Sequence, residues 1–291
     1  MQVVFHLGAP CTDGDMLIQS LLKNRLRLAQ AGIAVPPPSR YRAVIRDTAR
    51  TLKGEPANQA VQDALREAII GDAQVDRLVL SDARFIAINR LVVQRAQIWP
   101  MVERASAYLR ALFPGTQTEF FIGLRDPGTL IPDLFKSSRF SNFTEFTENM
   151  QPQALAWSEM LRRLQAAHPD AGITVWCNED TPLLWGDVMR GMAGVAATAD
   201  LDGTLDLAES IMARDGFDRM QAWLAEHPTS DATQQSRVLA AFLERYALPD
   251  EVTEELNLPG WTQKLMAELS ANYDEDVDVI ARMPGIRLIT P

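Results

Sequence analysis

The stretch of this sequence best suited to chemistry is the loop HLGAPCTDGDML, residues 6–17. It follows the short apolar run at residues 3–5 and leads into a segment with a helical period. A loop that opens a helix offers unpaired backbone N–H groups and the positive end of the helix dipole, and chains use this layout to hold phosphate. This loop, however, carries Asp13 and Asp15 and no lysine. The pattern therefore predicts a phosphate-type loop whose own charge opposes a phosphate.

Arginine side chains form the second group of candidates. Arg84 and Arg125 each follow an apolar run that reads as a strand, and Arg139 lies further along the chain. A guanidinium binds phosphate or sulfate through paired N–H donors, so these three residues are the predicted anion ligands. The alternative is that each arginine pairs with a nearby aspartate.

Aspartates at the predicted strand ends admit a third chemistry. Asp13, Asp15, Asp82 and Asp126 offer the oxygen ligands that a divalent cation prefers. No loop spacing typical of a metal site accompanies them, so we predict no metal site. A simpler interpretation makes Asp13 and Asp15 helix-capping residues, because aspartate is favoured at the N-cap and in the first turn.

Three further side chains have two interpretations each. His6 is a candidate base, or a buried histidine whose hydrogen bonds hold the loop. Cys11 is a reactive thiol at a helix N-terminus, or an inert one because the neighbouring aspartates oppose thiolate formation. Glu179, in the run NED at 178–180, is a candidate base or part of a strand-end turn that caps the next helix. His168 and His227, each before a proline, are predicted to lie on the surface.

The elements that position these residues follow from the hydrophobic pattern. Four apolar runs predict buried strands: residues 2–7, a run ending near Ser81, and the runs TEFFIGL and GITVWCNE. Helical periods fill the intervals and the end of the chain; the predicted helices are 15–32, 43–52, 58–70, 102–115, 153–169, 181–195, 205–226, 231–246, 249–256 and 261–274. Strands that alternate with helices and are apolar throughout indicate a parallel sheet covered on both faces. We predict an α/β fold with three layers, α/β/α, and a helical C-terminal part.

Domain organisation and the position of the site follow from this fold. We expect one domain over residues 1–291, with residues 205–291 as its mainly helical extension. Ligands of such sheets bind outside the carboxyl ends of the strands. The loops at 6–15, 81–84, 125–133 and 178–180 are therefore predicted to meet in one site.

Composition limits the class of protein. The 291 residues carry a formal net charge of −10, which argues against a general nucleic-acid binder. Two cysteines provide neither a disulfide framework nor a zinc motif. The N-terminal residues lack the features of a signal peptide, and no run reaches the length of a membrane span. We expect a cytoplasmic protein without membrane contact, and only four of its 28 basic residues are lysines, an arginine-rich usage typical of bacterial proteins.

The loop at 6–17 resembles the N-terminal signature of bacterial sulfotransferases, H-x-G-x-P-K-T-G-T-T-x-L, at His6, Gly8, Pro10, Thr12 and Leu17. The stretch FFIGLRDPGTLIPDLFKSSR, residues 120–139, is similar to the family's second motif, in which a strand ends in R-[DN]-P. Weaker likenesses are LVLSDARF, NED and the segment WTQKLMAELSANYDEDVDVIARMPG, in the same chain order. The resemblance implies a P-loop-like α/β fold and the sulfuryl donor 3′-phosphoadenosine-5′-phosphosulfate.

What the resemblance implies for individual residues can be stated position by position. The donor's 5′-phosphosulfate would lie on the loop; its cofactor-binding residues would be Gly8, Ala9, Pro10, Cys11, Thr12, Asp13, Gly14 and Asp15. Ser81, Arg84, Arg125 and Asp133 would complete the donor site, with Arg125 at the 3′-phosphate. His6 or Glu179 would be the catalytic base, and the acceptor a small molecule or carbohydrate.

Five positions depart from the family pattern. Cys11 stands in place of the catalytic lysine, Asp13 in place of a glycine, and Gly14 and Asp15 in place of two hydroxyl residues. Asp133 occupies the serine position eight residues after the arginine, and Ser137 and Ser138 are predicted to point away. Two hypotheses remain: a divergent sulfotransferase with impaired or lost activity, in which Lys136 or Arg84 compensates for the missing lysine, and a non-catalytic binding protein that uses no cofactor.

Overall fold

The structure is a computed structural model that describes residues 1–227, 232–248 and 258–291. Its main sheet has six parallel strands, β1 (Gln2–His6), β2 (Ile33–Ala34), β3 (Arg77–Ser81), β6 (Gln117–Leu124), β7 (Gly172–Cys177) and β8 (Ile286–Ile289). Their order is β2-β3-β1-β6-β7-β8, and a two-stranded antiparallel ribbon is formed by β4 (Val93–Gln94) and β5 (Gln97–Ile98). β2 and β3 lie on one side of β1, whereas β6, β7 and β8 lie on the other side. The carboxyl ends of β1 and β6 are thus the switch point where such sheets bind ligands.

Thirteen helices are described. The first six are α1 (Met16–Lys23), α2 (Arg25–Gln30), α3 (Pro38–Leu52), α4 (Gln59–Ile69), α5 (Val102–Ala111) and α6 (Pro127–Lys136). The others are α7 (Phe143–Thr147), α8 (Trp157–Ala167), α9 (Thr181–Ala193), α10 (Asp206–Ile211), α11 (Arg214–Glu226), α12 (Ala232–Tyr246) and α13 (Gln263–Ile280). Short 3-10 turns occur at Asn89–Leu91, Pro152–Ala154 and Asn178–Asp180.

The strand period of two sorts the apolar side chains between two cores. In β1, Val3 and Phe5 belong to the core beneath α3, α4, α5, α6, α8 and α13, whereas Val4 belongs to the core beneath α1, α2 and α9. In β6, Phe120 and Ile122 face the first core and Phe121 faces the second. Helices therefore cover both faces of the sheet, and the predicted three-layer α/β/α fold is confirmed.

Several predicted bounds differ from the structure. The predicted helix 15–32 is two helices, with Asn24 between α1 and α2. The predicted helix 205–226 is likewise broken into α10 and α11, where the backbone at Met212 is extended and bridges Ala247. The last strand, β8, completes a six-stranded sheet where the hydrophobic pattern predicted four strands. The predicted helix 249–256 lies outside the described residues.

No described helix has both the length and the apolar character that crossing a bilayer requires.

Candidate functional site

The carboxyl ends of β1 and β3 meet at His6 and Ser81. These residues are register partners, and His6 Nδ1 lies 2.9 Å from Ser81 Oγ. The His6 ring is buried and stacks on Trp176, with ring centroids 5.8 Å apart. Burial lowers the pKa of the His6 imidazole, with Asp13 and Asp15 acting in the opposite direction. The structure therefore agrees with the second interpretation of His6, a buried histidine whose hydrogen bond joins two strand ends.

The loop after β1 turns tightly against the loop after β3. Gly8 has a φ of +65°, and a Cβ at this position would lie 3.0 Å from the Ala83 Cβ, so a glycine is needed here. Ala9 and Pro10 are buried, and the Thr12 hydroxyl donates to the Ala9 carbonyl at 2.7 Å. Gly8, Ala9 and Pro10, the first three of the predicted cofactor-binding residues, are thus buried, whereas residues 11–15 are partly or fully exposed.

Cys11 is partly exposed and occupies the left-handed region with a φ of +65°. Its Sγ lies 3.3 Å from the Ser137 Oγ at the end of α6. The prediction that Ser137 points away from this region is wrong, because its hydroxyl, at the C-cap of α6, contacts Cys11.

The two loop aspartates act differently. Asp13 caps α1: its carboxylate accepts from the Leu17 N–H at 3.1 Å and its carbonyl from the Met16 N–H at 2.8 Å. Asp15 occupies the N-cap position with a φ of 72° but makes no side-chain cap hydrogen bond. The capping interpretation is therefore confirmed for Asp13, and for Asp15 in position but not in side-chain hydrogen bonding. Between them, Gly14 is exposed, with open space where a side chain would be.

Arg42 of α3 binds Asp15 instead. Its two terminal nitrogens donate to the two Asp15 oxygens at 2.6 and 2.7 Å, and Nε and one terminal nitrogen also donate to the Ser81 carbonyl at 3.0 and 2.8 Å. The Asp82 carboxylate lies 3.6 Å from the Arg42 Nε. The hydrogen bonds from Arg42 lower the pKa of Asp15. Arg42 thus joins the loop after β1 to the end of β3.

Arg125, predicted to hold the 3′-phosphate, is bound within the chain as well. Its guanidinium lies 2.6 Å from the Asp133 carboxylate, donates to the Thr129 hydroxyl at 3.2 Å, and donates to the Cys11 carbonyl. The side chains of Arg125 and Asp133 are 12% and 16% exposed. The Lys136 Nζ lies 3.2 Å from the other oxygen of Asp133. Asp133 is therefore the anion between two cations.

The loop after β6 is held by indole donors from the core. Trp157 Nε1 donates to the Arg125 carbonyl and Trp261 Nε1 to the Gly128 carbonyl, both at 2.9 Å. The Asp126 carboxylate caps α6 through the Gly128 N–H at 2.7 Å and accepts from the Ser270 hydroxyl of α13. The position of Arg125 is therefore set by α8 and α13, which lie far from it in sequence.

Glu179, the second candidate base, is held by two donors. It accepts from the Asp126 N–H at 2.9 Å and from the Tyr273 hydroxyl at 3.0 Å. Burial raises the pKa of the Glu179 carboxyl, and burial also raises the pKa of the Cys177 thiol close by. Glu179 thus joins the ends of β6 and β7 to α13. The predicted strand-end turn at 178–180 is confirmed, whereas Asp180, at the N-cap of α9, makes no side-chain cap hydrogen bond.

The remaining candidates lie toward the surface. Arg84 is 64% exposed, and its Nε is 3.5 Å from the Asp82 carboxylate. Arg139 is exposed and makes no side-chain hydrogen bond or ion pair with any residue that the structure describes. Pairing with aspartate is thus confirmed for Arg125 and Arg84.

The four strand-end aspartates considered as oxygen ligands are not gathered into one site. Asp13, Asp15 and Asp126 each have separate partners in α1, α3 and α13. Within the described ranges, no group of three or more His, Cys, Asp or Glu side chains is placed to hold a metal ion.

A second polar cluster lies apart from the strand ends. His168, predicted on the surface, is buried; its Nε2 lies 2.7 Å from Ser106 Oγ and its Nδ1 3.1 Å from Arg110, which pairs with Asp170 at 2.6 Å. Ser106 is fully buried within α5 and donates to the Val102 carbonyl, so this cluster joins α5 to the end of α8. The prediction for His227 is confirmed, since that side chain is exposed and stacks on Trp223.

Comparison of the chain with protein-family models, with curated proteins and with solved structures found no match. Function is therefore inferred from the geometry of these loops.

Proposed function

We propose that the chain is a sulfotransferase-like protein that has lost sulfuryl transfer from 3′-phosphoadenosine-5′-phosphosulfate and serves as a binding protein. The observation that carries this proposal is the Arg125–Asp133 pair. The anion that Arg125 would take from the donor nucleotide is supplied by the chain at 2.6 Å. Arg42, which approaches the loop from α3, is paired with Asp15 in the same manner.

The energetics of this pair disfavour a nucleotide phosphate. A phosphate beside Arg125 would also lie beside Asp133, and two like charges about 4 Å apart repel by roughly 4 kcal/mol at a dielectric constant near 20. That is about a thousandfold in affinity. Moving Asp133 aside instead would separate a largely buried carboxylate from its cations, which is also costly.

The other end of the donor meets similar difficulties. Sulfuryl transfer builds negative charge on the leaving phosphate, and losing one donor that stabilises such charge costs about 3 kcal/mol. Cys11 carries no positive charge, and Asp13 already accepts the N–H of Leu17 in the first turn of α1. The residues at both ends of the donor site oppose the same anionic ligand, so the residues present do not fit the donor.

Calorimetric titration with 3′-phosphoadenosine-5′-phosphate tests this proposal. We expect no binding by the natural chain at millimolar nucleotide, and measurable binding after Asp133→Ser restores the hydroxyl of the family pattern. Asp170→Ser is the matched control, because Asp170 also pairs with an arginine, Arg110, at 2.6 Å, but next to the buried His168 cluster. Micromolar binding by the natural chain that disappears in Arg125→Ala would refute the proposal.

One observation favours a second candidate, a weak sulfuryl transferase. Lys136 lies 3.2 Å from Asp133, on the same helix turn that brings Ser137 to Cys11. A lysine at this place would compensate in part for the lysine that Cys11 replaces. Release of the product nucleotide from the donor, lost in Lys136→Met and kept in the control Lys264→Met, would establish this candidate.

A further inference from the structure

Three adjoining cavities form an elongated groove beside the strand-end loops. The first, of about 360 Å³, lies between α3, α5 and the loop after β3. The second, of about 650 Å³, shares Arg84 and Ile88 with the first and is bounded by the residues that follow α6. The third, of about 280 Å³, shares Arg90 and Phe140 with the second. We call these three cavities together the arginine groove.

The arginine groove is positively charged in a chain whose net charge is −10. Arg42, Arg46 and Arg50 line it from successive turns of α3. Further arginines come from the loops, namely Arg84, Arg90, Arg95 and Arg139. Two carboxylates, Asp82 and Glu145, share this lining. Arg42, Arg46 and Arg84 each pair with an aspartate, so the unmatched positive charge of the groove comes from the other four arginines.

Four of these arginines, Arg50, Arg90, Arg95 and Arg139, make no side-chain hydrogen bond or ion pair with the described residues, and Arg90 and Arg139 both line the second cavity. The side chains of Arg90 and Arg139 are both exposed. They contrast with Arg42, whose guanidinium is used by Asp15 and Ser81. Free guanidinium groups facing one cavity are suited to carboxylate or other oxyanions of a ligand.

Apolar side chains lie between the arginines. Five large apolar side chains are exposed within the described residues, and two of them, Ile88 at 46% and Phe140 at 38%, line the arginine groove. Exposed apolar residues rimmed by charge mark interaction surfaces. A ligand made only of charged groups would leave Ile88 and Phe140 in water.

We propose that the arginine groove binds an acidic peptide segment of a partner protein, in which carboxylates alternate with apolar side chains. This inference deepens the proposed binding role and rests on it. Arg42 and Arg50 are eight residues apart on α3, or roughly 12 Å, a distance that about four residues of extended peptide span. The second and third cavities lengthen the path, so the segment is longer than this. Apolar contacts favour a peptide over a nucleic acid or a sulfated sugar.

Fluorescence anisotropy with a labelled peptide tests the proposal. The probe is a peptide of about ten residues in which Glu alternates with Leu and Phe, a length matched to the extended path. We expect micromolar binding that weakens with salt and falls about tenfold or more in Arg90→Glu/Arg139→Glu. The matched control is Arg25→Glu/Arg282→Glu, which makes the same charge change at exposed arginines outside the groove and is expected to bind as the natural chain does.

Three results would overturn the proposal: no binding of the mixed peptide, equal loss in both double variants, or equally tight binding of an all-Glu peptide, a sulfated oligosaccharide or an oligonucleotide. The peptide titration contains no nucleotide, so its failure is distinct from failure of the proposed function. Binding of 3′-phosphoadenosine-5′-phosphate would contradict the proposal that the donor site is lost. The proposal for the arginine groove would still be tested by the peptide titration alone.

Discussion

Replacing Asp133 with asparagine tests the central ion pair through stability. In the natural chain the Asp133 carboxylate lies 2.6 Å from the Arg125 guanidinium, with both side chains less than one fifth exposed. Asparagine keeps the shape and an accepting oxygen but removes the negative charge. Arg125 then retains two neutral acceptors, the Thr129 hydroxyl and the Cys11 carbonyl.

The magnitude follows from the burial of the pair. Breaking a fully buried ion pair costs about 3–5 kcal/mol, whereas exposed pairs contribute about 0–1 kcal/mol. Because Asp133 also loses its contact with the half-exposed Lys136, and because the asparagine oxygen still accepts, we expect a loss of about 2–3 kcal/mol in the free energy of unfolding. The unpaired Arg125 should then bind a phosphate that the natural chain rejects.

Urea unfolding with and without 3′-phosphoadenosine-5′-phosphate measures both effects. The natural chain should be indifferent to the nucleotide. Asp133→Asn should be less stable alone and should recover about 2.7 kcal/mol when the nucleotide is present at a hundred times its Kd. The control Asp170→Asn removes the carboxylate that pairs with Arg110, and it should not respond to the nucleotide.

Two results would refute this reasoning. If Asp133→Asn is as stable as the natural chain, the ion pair does not hold Arg125. If the variant is destabilised but its stability is unaffected by millimolar nucleotide, Arg125 does not bind phosphate even without the Asp133 charge. The proposal that this loop belongs to a former donor site is then wrong.

Three further predictions concern the polar contacts around the site. Arg42→Met should lower the free energy of unfolding by about 2 kcal/mol, because it removes a two-fold ion pair and the hydrogen bonds to the Ser81 carbonyl. Arg46→Met, whose ion pair with Asp47 is exposed, should leave the urea midpoint nearly unchanged. Burial lowers the pKa of His6 from 6.5, so on acidification the unfolded chain takes up a proton at this residue before the folded chain does. The free energy of unfolding should therefore fall as pH drops below about 6.5. His6→Gln should flatten this pH dependence in unfolding curves measured over a pH series. Tyr273→Phe removes a hydrogen-bond donor from Glu179. Because burial raises the pKa of this carboxyl, its ionisation costs stability as pH rises, and the lost donor makes that cost larger. We expect the variant to lose about 1–2 kcal/mol in the free energy of unfolding, with a loss that grows with pH in the same measurement.

The sequence predicts the sheet correctly where consecutive residues along a strand are all buried. Residues 3–5 and 78–80 are apolar throughout because helices cover both faces of the sheet, and this pattern predicts a parallel sheet directly. β2 and β8 have weaker signals, because they are short strands at the two edges of the sheet. The break at Asn24 was missed because the apolar period continues from α1 into α2, and its cause, an Asn24 amide bonded to the Asp202 carbonyl at 2.9 Å, is a contact 178 residues away.

The candidate site was accessible only in part. Strand-end placement located His6, Ser81, Arg125 and Glu179, since each follows an apolar run. Arg42 was missed, because it reads as one more basic residue on an exposed helix. Its role depends on α3 crossing the end of β3, which a hydrophobic period does not reveal. A signal was nevertheless present, because a loop with two aspartates and no lysine favours a cation supplied by another element, as Arg42 is for Asp15.

Two internal ion pairs hold the acidic loop at residues 6–15 in place. A bound phosphate would hold such a loop by drawing its N–H groups and nearby cations together. Here Arg42 fastens the loop to β3 through Asp15 and the Ser81 carbonyl, and Arg125 fastens it to α6 through the Cys11 carbonyl and Asp133. Each cation bridges the loop to a neighbouring element, as a phosphate would. Under the proposed function, the carboxylates Asp15 and Asp133 take the place of the phosphates, and we expect a loop held in this way to gain little order from binding a nucleotide.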